Sequence, residues 1–205
     1  MTKFYFNLIK FFKGREFLRQ YSTKKETLET LINKKTIAII GNANSLINSS
    51  FGEEIEKNDI VIRLNDGKKP SNMSHGQRTD ILAVSKKITK DQLTNICPKI
   101  LIWMTPKIKR LSLEMANYSE FILYDKKYVD RLANKLGSRP STGVMVIDMV
   151  EKLNPRIINL YGFDFFESKS MSGSREAKNV PHDFLNEKKY ILKLISSRDN
   201  IFLRK

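Results

Sequence analysis

Cysteine is nearly absent from this chain: Cys97 is the only one in 205 residues. No intrachain disulfide can form, and a reducing cytoplasm is the compartment that fits. Cys97 precedes Pro98 at the edge of an apolar run, so it is expected to be a buried small hydrophobe and not a nucleophile. Histidine is almost as scarce, with only His75 and His182. One cysteine and two histidines do not make a zinc cluster with ligand spacing. No apolar run approaches the ~20 residues needed to span a bilayer. Acidic residues are outnumbered, 22 against 37 Lys and Arg, which leaves a formal net charge of +15. That excess points to an anionic partner: phosphates, an anionic membrane surface, nucleic acid or an acidic glycan. Solubility alone accounts for it equally well.

Apolar residues are plentiful, at 40% with 12 Phe and 7 Tyr, enough for a sizeable core. The length suits one domain. Residues 1–24 form a basic aromatic segment, and residues 25–205 form the domain. In the first segment, a helix would place Phe4, Leu8 and Phe12 on one face and Lys3, Asn7 and Lys10 on another. Two readings stand: a helix lying on anionic lipid, or an ordinary helix packed on the domain. Lys10 and Lys13 interrupt the apolar stretch, and no small-residue cleavage site follows, so it is not a signal peptide.

From Lys35 onward, strand and helix patterns alternate. Residues 36–40 are a continuous apolar run ending at Gly41, as expected of a buried parallel strand. Further strands are expected at 59–64, 80–84, 99–104, 121–124 and 156–161, with an edge strand at 200–203. Helices are expected at 108–115, 126–136, 142–153 and 184–195. The alternation predicts a single Rossmann-like α/β domain, an open and mostly parallel sheet covered by helices on both faces. Ligands in such sheets bind beyond the C-terminal strand ends.

Four polar clusters fall at such ends. Gly41-Asn42-Ala43-Asn44-Ser45 follows the first strand, and its amides and hydroxyl suit a phosphate, a ribose or a cytosine edge. Taken alone it is an ordinary Asx-type turn. It is neither a Gly-x-Gly-x-x-Gly loop nor a Walker motif. Asn65 and Asp66 end the second strand. Arg139-Pro140-Ser141-Thr142-Gly143 opens the clearest helix, where a hydroxyl caps free N–H groups and the helix start attracts anions. His182 precedes the last helix, with Glu187 five residues on. Its ordinary pKa of about 6.5 suits a general base. Glu187 either caps the helix or holds a partner's hydroxyl. Asp164 binds an acceptor or simply begins a loop. His75, in a polar stretch, is expected to be a solvated loop residue, and Trp103 a core residue.

Together these clusters resemble the eukaryotic-type sialyltransferase family. Residues 39–46 through 59–65 are similar to its large motif, residues 140–144 through 159–163 to its small motif, and His182 to Glu187 to its very small motif. The resemblance covers roughly residues 36–195. It implies a sialyltransferase-like variant of the GT-A fold. It also implies an enzyme that moves sialic acid from a cytidine monophosphate (CMP)-activated donor with inversion and no catalytic metal or other cofactor. His182 would be the base. Asn42 or Asn44, with Asn65, would contact the nucleotide, and Ser141, Thr142 and Gly143 the donor. Gly41, Arg63, Tyr161, Gly162 and Phe163 are donor-side candidates by the same motifs, with Arg139, Asp164 and Glu187 in support. A keto-deoxy acid such as Kdo is an alternative sugar. The acceptor would be a glycan or glycolipid of lipooligosaccharide or capsule type. Two departures stand out. Ile37 and Asn154 occupy the positions of the family's disulfide. That fits a bacterial cytoplasmic enzyme, and peripheral contact with the inner face of an anionic membrane is open to it. The family's extra histidine between the small and very small motifs is missing. The competing reading is a non-catalytic domain that binds a nucleotide or an anionic polymer, but no recognition helix, zinc finger or RNA-binding signature supports nucleic acid as the partner.

Overall fold

The computed structural model describes residues 1–23, 25–164 and 182–204. In chain order these form α1 (Lys3–Arg19), α2 (Lys25–Ile32), β1 (Thr36–Ile40), a 3₁₀ turn (Asn44–Asn48), α3 (Gly52–Glu56), β2 (Ile60–Leu64), α4 (Asn72–His75) and β3 (Ile81–Val84). There follow α5 (Lys90–Ile96), β4 (Ile100–Trp103), α6 (Leu113–Ala116), β5 (Phe121–Leu123), α7 (Lys126–Leu136), α8 (Thr142–Glu151), β6 (Ile157–Tyr161), α9 (Phe184–Ser196) and β7 (Ile201–Arg204).

The seven strands form one sheet in the order β5-β4-β3-β2-β1-β6-β7. Every pairing is parallel. The expected sheet is thus present, wholly rather than mostly parallel. A parallel sheet needs cover on both faces, which explains the unbroken apolar runs. Alternation divides them: Ile37, Ile39, Ile60, Ile62 and Leu64 face α8 and the core built with α2, α7 and α9. Ala38, Ile40, Val61 and Tyr161 face the 3₁₀ turn and α3. Leu82, Val84, Leu101 and Trp103 face α1, α5 and α6. Each fully buried Ile contributes roughly 2 kcal/mol, so this ladder is the main source of stability.

The chain runs outward from β1 to β5, then returns to lay β6 on the other side of β1. The order reverses between β1 and β6, and their C-terminal ends open a crevice there. Gly41 and Gly162 line it back to back. The Gly41 N–H donates to the Tyr161 carbonyl at 2.7 Å and the Ala43 N–H to the Gly162 carbonyl at 3.2 Å. A Cβ on Gly41 would lie 2.2 Å from the Gly162 carbonyl oxygen, so no larger residue fits.

Three expectations need correction. The helix expected at 108–115 is only the short α6, because Ser112 caps a fresh start by accepting from the Met115 N–H. Cys97 is exposed, since it takes the left-handed position (φ 48°) that ends α5. His75 is fully buried in α4, with Nδ1 and the Ser74 hydroxyl 2.7 Å apart. Within the first segment, Phe6 and Leu18 of α1 join the core around Trp103, which is buried as expected.

Candidate active site

The strongest local helix signal, Ser141-Thr142-Gly143, places the start of α8 over the C-terminal ends of β2 and β3. Ser141 is the N-cap and accepts from the Val144 N–H. The Thr142 hydroxyl donates to the Ser85 hydroxyl at 2.8 Å, just past β3. Ser85 in turn donates its N–H to the Asn65 side-chain oxygen at 3.0 Å, just past β2. Asn65 adopts φ 52°, a left-handed conformation that Asn tolerates well. Gly143 packs on Phe163: a Cβ there would meet the ring at 2.9 Å. The tips of β2, β3 and β6 and the start of α8 therefore form one wall. The N–H groups of Thr142 and Gly143 are the first-turn donors of α8 without an intrahelical partner, and they point along the positive end of its dipole.

His182 and Glu187 come to this wall from opposite sides of the Asp183 N-cap of α9. The two ends of one short segment, 139–141, receive them. His182 Nδ1 lies 2.8 Å from the Arg139 carbonyl oxygen. A carbonyl only accepts, so Nδ1 carries the proton and Nε2 is the basic nitrogen. Burial lowers the His182 pKa, and the Arg139 charge lowers it further against the opposing effect of the carbonyl bond. The net shift favours the neutral ring. Glu187 is 2% exposed and accepts from the Ser141 N–H at 2.6 Å. Burial raises its pKa to about 7, more than that hydrogen bond lowers it. The Arg139 guanidinium donates to the Thr105 hydroxyl at 3.4 Å, beyond the end of β4.

At the β1 tip, Asn42 and Asn44 are half-buried. The Ser45 hydroxyl lies 3.4 Å from an Asp164 carboxylate oxygen, joining the β1 and β6 loops. A cavity of about 350 Å³, whose walls do not include His182, lies between the 3₁₀ turn and α9. Ser45, Phe51, Phe163, Asp164, Lys188 and Arg204 are among its walls.

Two donor-side candidates point elsewhere. Arg63 is 1% exposed, on the sheet face opposite α8. Its guanidinium donates to the carbonyls of Arg78 and His75, at 3.0 and 2.7 Å, and to the Thr79 hydroxyl at 3.2 Å. Burial lowers its pKa to about 10. Arg63 thus pins the β2–β3 connection. Tyr161 is also buried, and its phenol donates to Glu54 of α3 at 2.8 Å, away from α8. Its backbone, not its side chain, shapes the crevice. Ser85 and Thr105 were not singled out from the sequence. Ser85 directly follows β3 and Thr105 lies two residues past β4, and placement beyond a buried strand end is the available signal.

Residues 13–113 match the family model of glycosyltransferase family 29 (sialyltransferase). Just under half of the chain thus carries the sequence pattern of the sialyltransferase family. A mammalian sialyltransferase crystal structure superposes with a TM-score of 0.67 at 19% identity, over 92% of this chain and 76% of that one. The sialyltransferase CST-II of Campylobacter jejuni, in complex with a trisaccharide acceptor and CMP, gives 0.56 at 15%, over 82% and 80%. The monofunctional alpha-2,3-sialyltransferase Cst-I from Campylobacter jejuni gives 0.56 at 16%, over 89% and 77%. No curated protein matches in sequence. At these identities the superpositions establish the shared sialyltransferase fold.

Proposed function

We propose that this glycosyltransferase moves sialic acid, or a related keto-deoxy acid such as Kdo, from its CMP-activated form to a hydroxyl of a lipid-linked surface glycan, with inversion. The acceptor oxygen attacks the anomeric carbon as His182 Nε2 takes its proton, and the bond from that carbon to the CMP phosphate breaks. The observation that carries this reading is the His182–Arg139 hydrogen bond, which fixes the tautomer that places the neutral ring's lone pair on Nε2. The departing phosphate lies at the start of α8, where the Thr142 and Gly143 N–H groups and Arg139 meet its charge. Asn42, Asn44 and Asn65 hold the nucleotide from the tips of β1 and β2. This scheme needs no metal, because the helix start and Arg139 supply the positive charge. The single cysteine, Cys97, which can form no intrachain disulfide, fits a reducing cytoplasmic setting.

The test is a donor screen by mass spectrometry. CMP-activated sugars are offered with lipooligosaccharide, and released CMP and acceptor mass are scored. Transfer from a CMP-sugar, abolished by His182→Ala, is the expected result. Absence of transfer from every CMP-sugar, together with salt-sensitive DNA binding, would favour the non-catalytic reading.

A further inference from the structure

We infer that the outward face of α1 docks on an anionic lipid bilayer, with its aromatic side chains in the interface and a basic rim on the headgroups. Six of the eleven large apolar side chains exposed among the described residues are Met1, Phe4, Tyr5, Leu8, Phe11 and Phe12. Their exposure runs from 42% to 81%. At 100° per residue the five within α1 occupy an arc of about 120°, with no polar residue inside it over residues 3–13, before the kink at Gly14. The helix is thus inverted relative to an ordinary surface helix. Toward the domain it turns Phe6 and Lys10, both buried, and toward solvent it turns its aromatics. Phe4 and Tyr5 stack edge to face at 5.9 Å, and Phe11 and Phe12 at 5.2 Å.

The inward side is firmly attached, so this is a formed surface. Phe6 packs against Phe17 and Tyr21 at 5.7 and 5.8 Å between ring centroids. Lys10 Nζ donates to the Leu111 carbonyl at 2.6 Å, and Lys3 pairs with Glu114 at 2.6 Å. These contacts hold the loop after β4 against the helix, and that loop exposes Lys107, Lys109 and Arg110. Lys13 of α1 is exposed too, so basic side chains on the helix and this loop outnumber the Glu16 and Glu114 carboxylates. Aromatics flanked by Lys and Arg are what an anionic interface binds: the rings enter the acyl boundary and the cations stay with the headgroups. A second copy of the chain is the poorer occupant, because a two-fold contact through this face brings like charges together.

The placement also has a direction. Beyond the kink at Gly14 (φ 57°), Arg15 donates to the Thr105 carbonyl at 3.3 Å and to the Tyr124 carbonyl. Both residues lie just past strand ends, and the Thr105 hydroxyl accepts from Arg139. The docking helix therefore sits at the end of the sheet that carries His182. A bilayer against α1 lies beside the opening where a lipid-carried acceptor would enter. The direction rests on the proposed acceptor, whereas the docking itself does not.

Vesicle sedimentation of the full chain, without donor or acceptor, tests the docking. Phosphatidylcholine vesicles are compared with vesicles containing about one-third phosphatidylglycerol, over a salt series. The chain should pellet with the anionic vesicles and release as salt rises. The triple variant Phe4→Ser, Phe11→Ser, Phe12→Ser should lose at least tenfold in partitioning, with circular dichroism and CMP affinity unchanged. Replacing Lys107, Lys109 and Arg110 by Gln should flatten the salt dependence. A chain left in the supernatant with both vesicle types at low salt would overturn the inference. So would a vesicle-free dimer that the serine variant dissolves while vesicle partitioning stays the same. Because sedimentation requires no turnover, its failure leaves the transferase reading standing, and a failed donor screen leaves the docking standing.

Discussion

His182 donates its Nδ1 proton to the backbone carbonyl of Arg139, 2.8 Å away. The same arginine's side-chain charge opposes protonation of that ring. One residue therefore fixes the tautomer through its backbone and lowers the basicity through its side chain, and the two effects can be separated by mutation. His182→Ala should lower transfer by roughly 10²–10⁴-fold while CMP binding survives. Arg139→Ala keeps the carbonyl. It should weaken donor binding and leave a working base, and the acid limb of the kcat/KM profile should move to higher pH. In the intact enzyme that limb belongs below pH 6.5, because burial lowers the folded-state pKa from the ordinary value. An unchanged acid limb in Arg139→Ala would count against His182 as the titrating group.

Glu187 gives a pH dependence of opposite sign. Its folded-state pKa of about 7 lies above the ordinary value of 4.5 because the carboxyl is buried. Between those two values the folded chain binds more protons than the unfolded chain. This group's contribution to stability is therefore present at low pH and is lost as pH rises through about 7. Glu187→Gln keeps an acceptor for the Ser141 N–H and removes the titration. Urea unfolding should show the variant gaining up to about 3 kcal/mol relative to the parent at pH 8, and little at pH 4. Parallel stability curves for the two proteins across that window would refute the assignment.

Arg63 separates structure from donor binding. Truncating it leaves the carbonyls of His75 and Arg78 and the Thr79 hydroxyl without their buried donor. Arg63→Met should cost about 3 kcal/mol or more in unfolding free energy. The remaining folded protein should bind CMP with parental affinity, measured by calorimetry below the melting transition. A fall in affinity with unchanged stability would return Arg63 to the donor site.

The strands were legible because burial on both faces leaves unbroken runs such as Thr36–Ile40 and Ile60–Leu64. The start of α8 was legible because capping is local chemistry. Arg63 shows where reading along the chain stops. Period-two alternation puts it opposite Ile62 and Leu64, but only the fold reveals that α4 covers that face too. His75 was misplaced for the same reason: a polar stretch reads as solvated, yet its carbonyl is drawn inside by Arg63. The partner of Glu187 is Ser141, 46 residues away, and no local pattern encodes such a contact.

Charge at the leaving group yields a further expectation. In the proposed scheme the Thr142 and Gly143 N–H groups and the Arg139 side chain meet the departing phosphate. Transfer should therefore persist after exhaustive treatment with a chelator, and added magnesium should not raise kcat. A chelator-dependent loss restored by one divalent ion would show that the positive charge comes from elsewhere.

The back-to-back glycines are the most demanding contact in the crevice. An alanine Cβ at position 41 would lie 2.2 Å from the Gly162 oxygen and 2.8 Å from its carbonyl carbon, both backbone atoms that cannot rotate away. Relief requires β1 and β6 to part at the point where the sheet changes direction. Gly137 is the natural control. It ends α7 at φ 68° with nothing within 4 Å of where a methyl would sit, so alanine there meets only conformational strain of about 1 kcal/mol. Gly41→Ala should lower the melting temperature several times more than Gly137→Ala and should weaken CMP binding, which Gly137→Ala should not. Equal melting temperatures for the two variants would mean that the strand ends do not approach as closely as the hydrogen bond from Gly41 to Tyr161 requires.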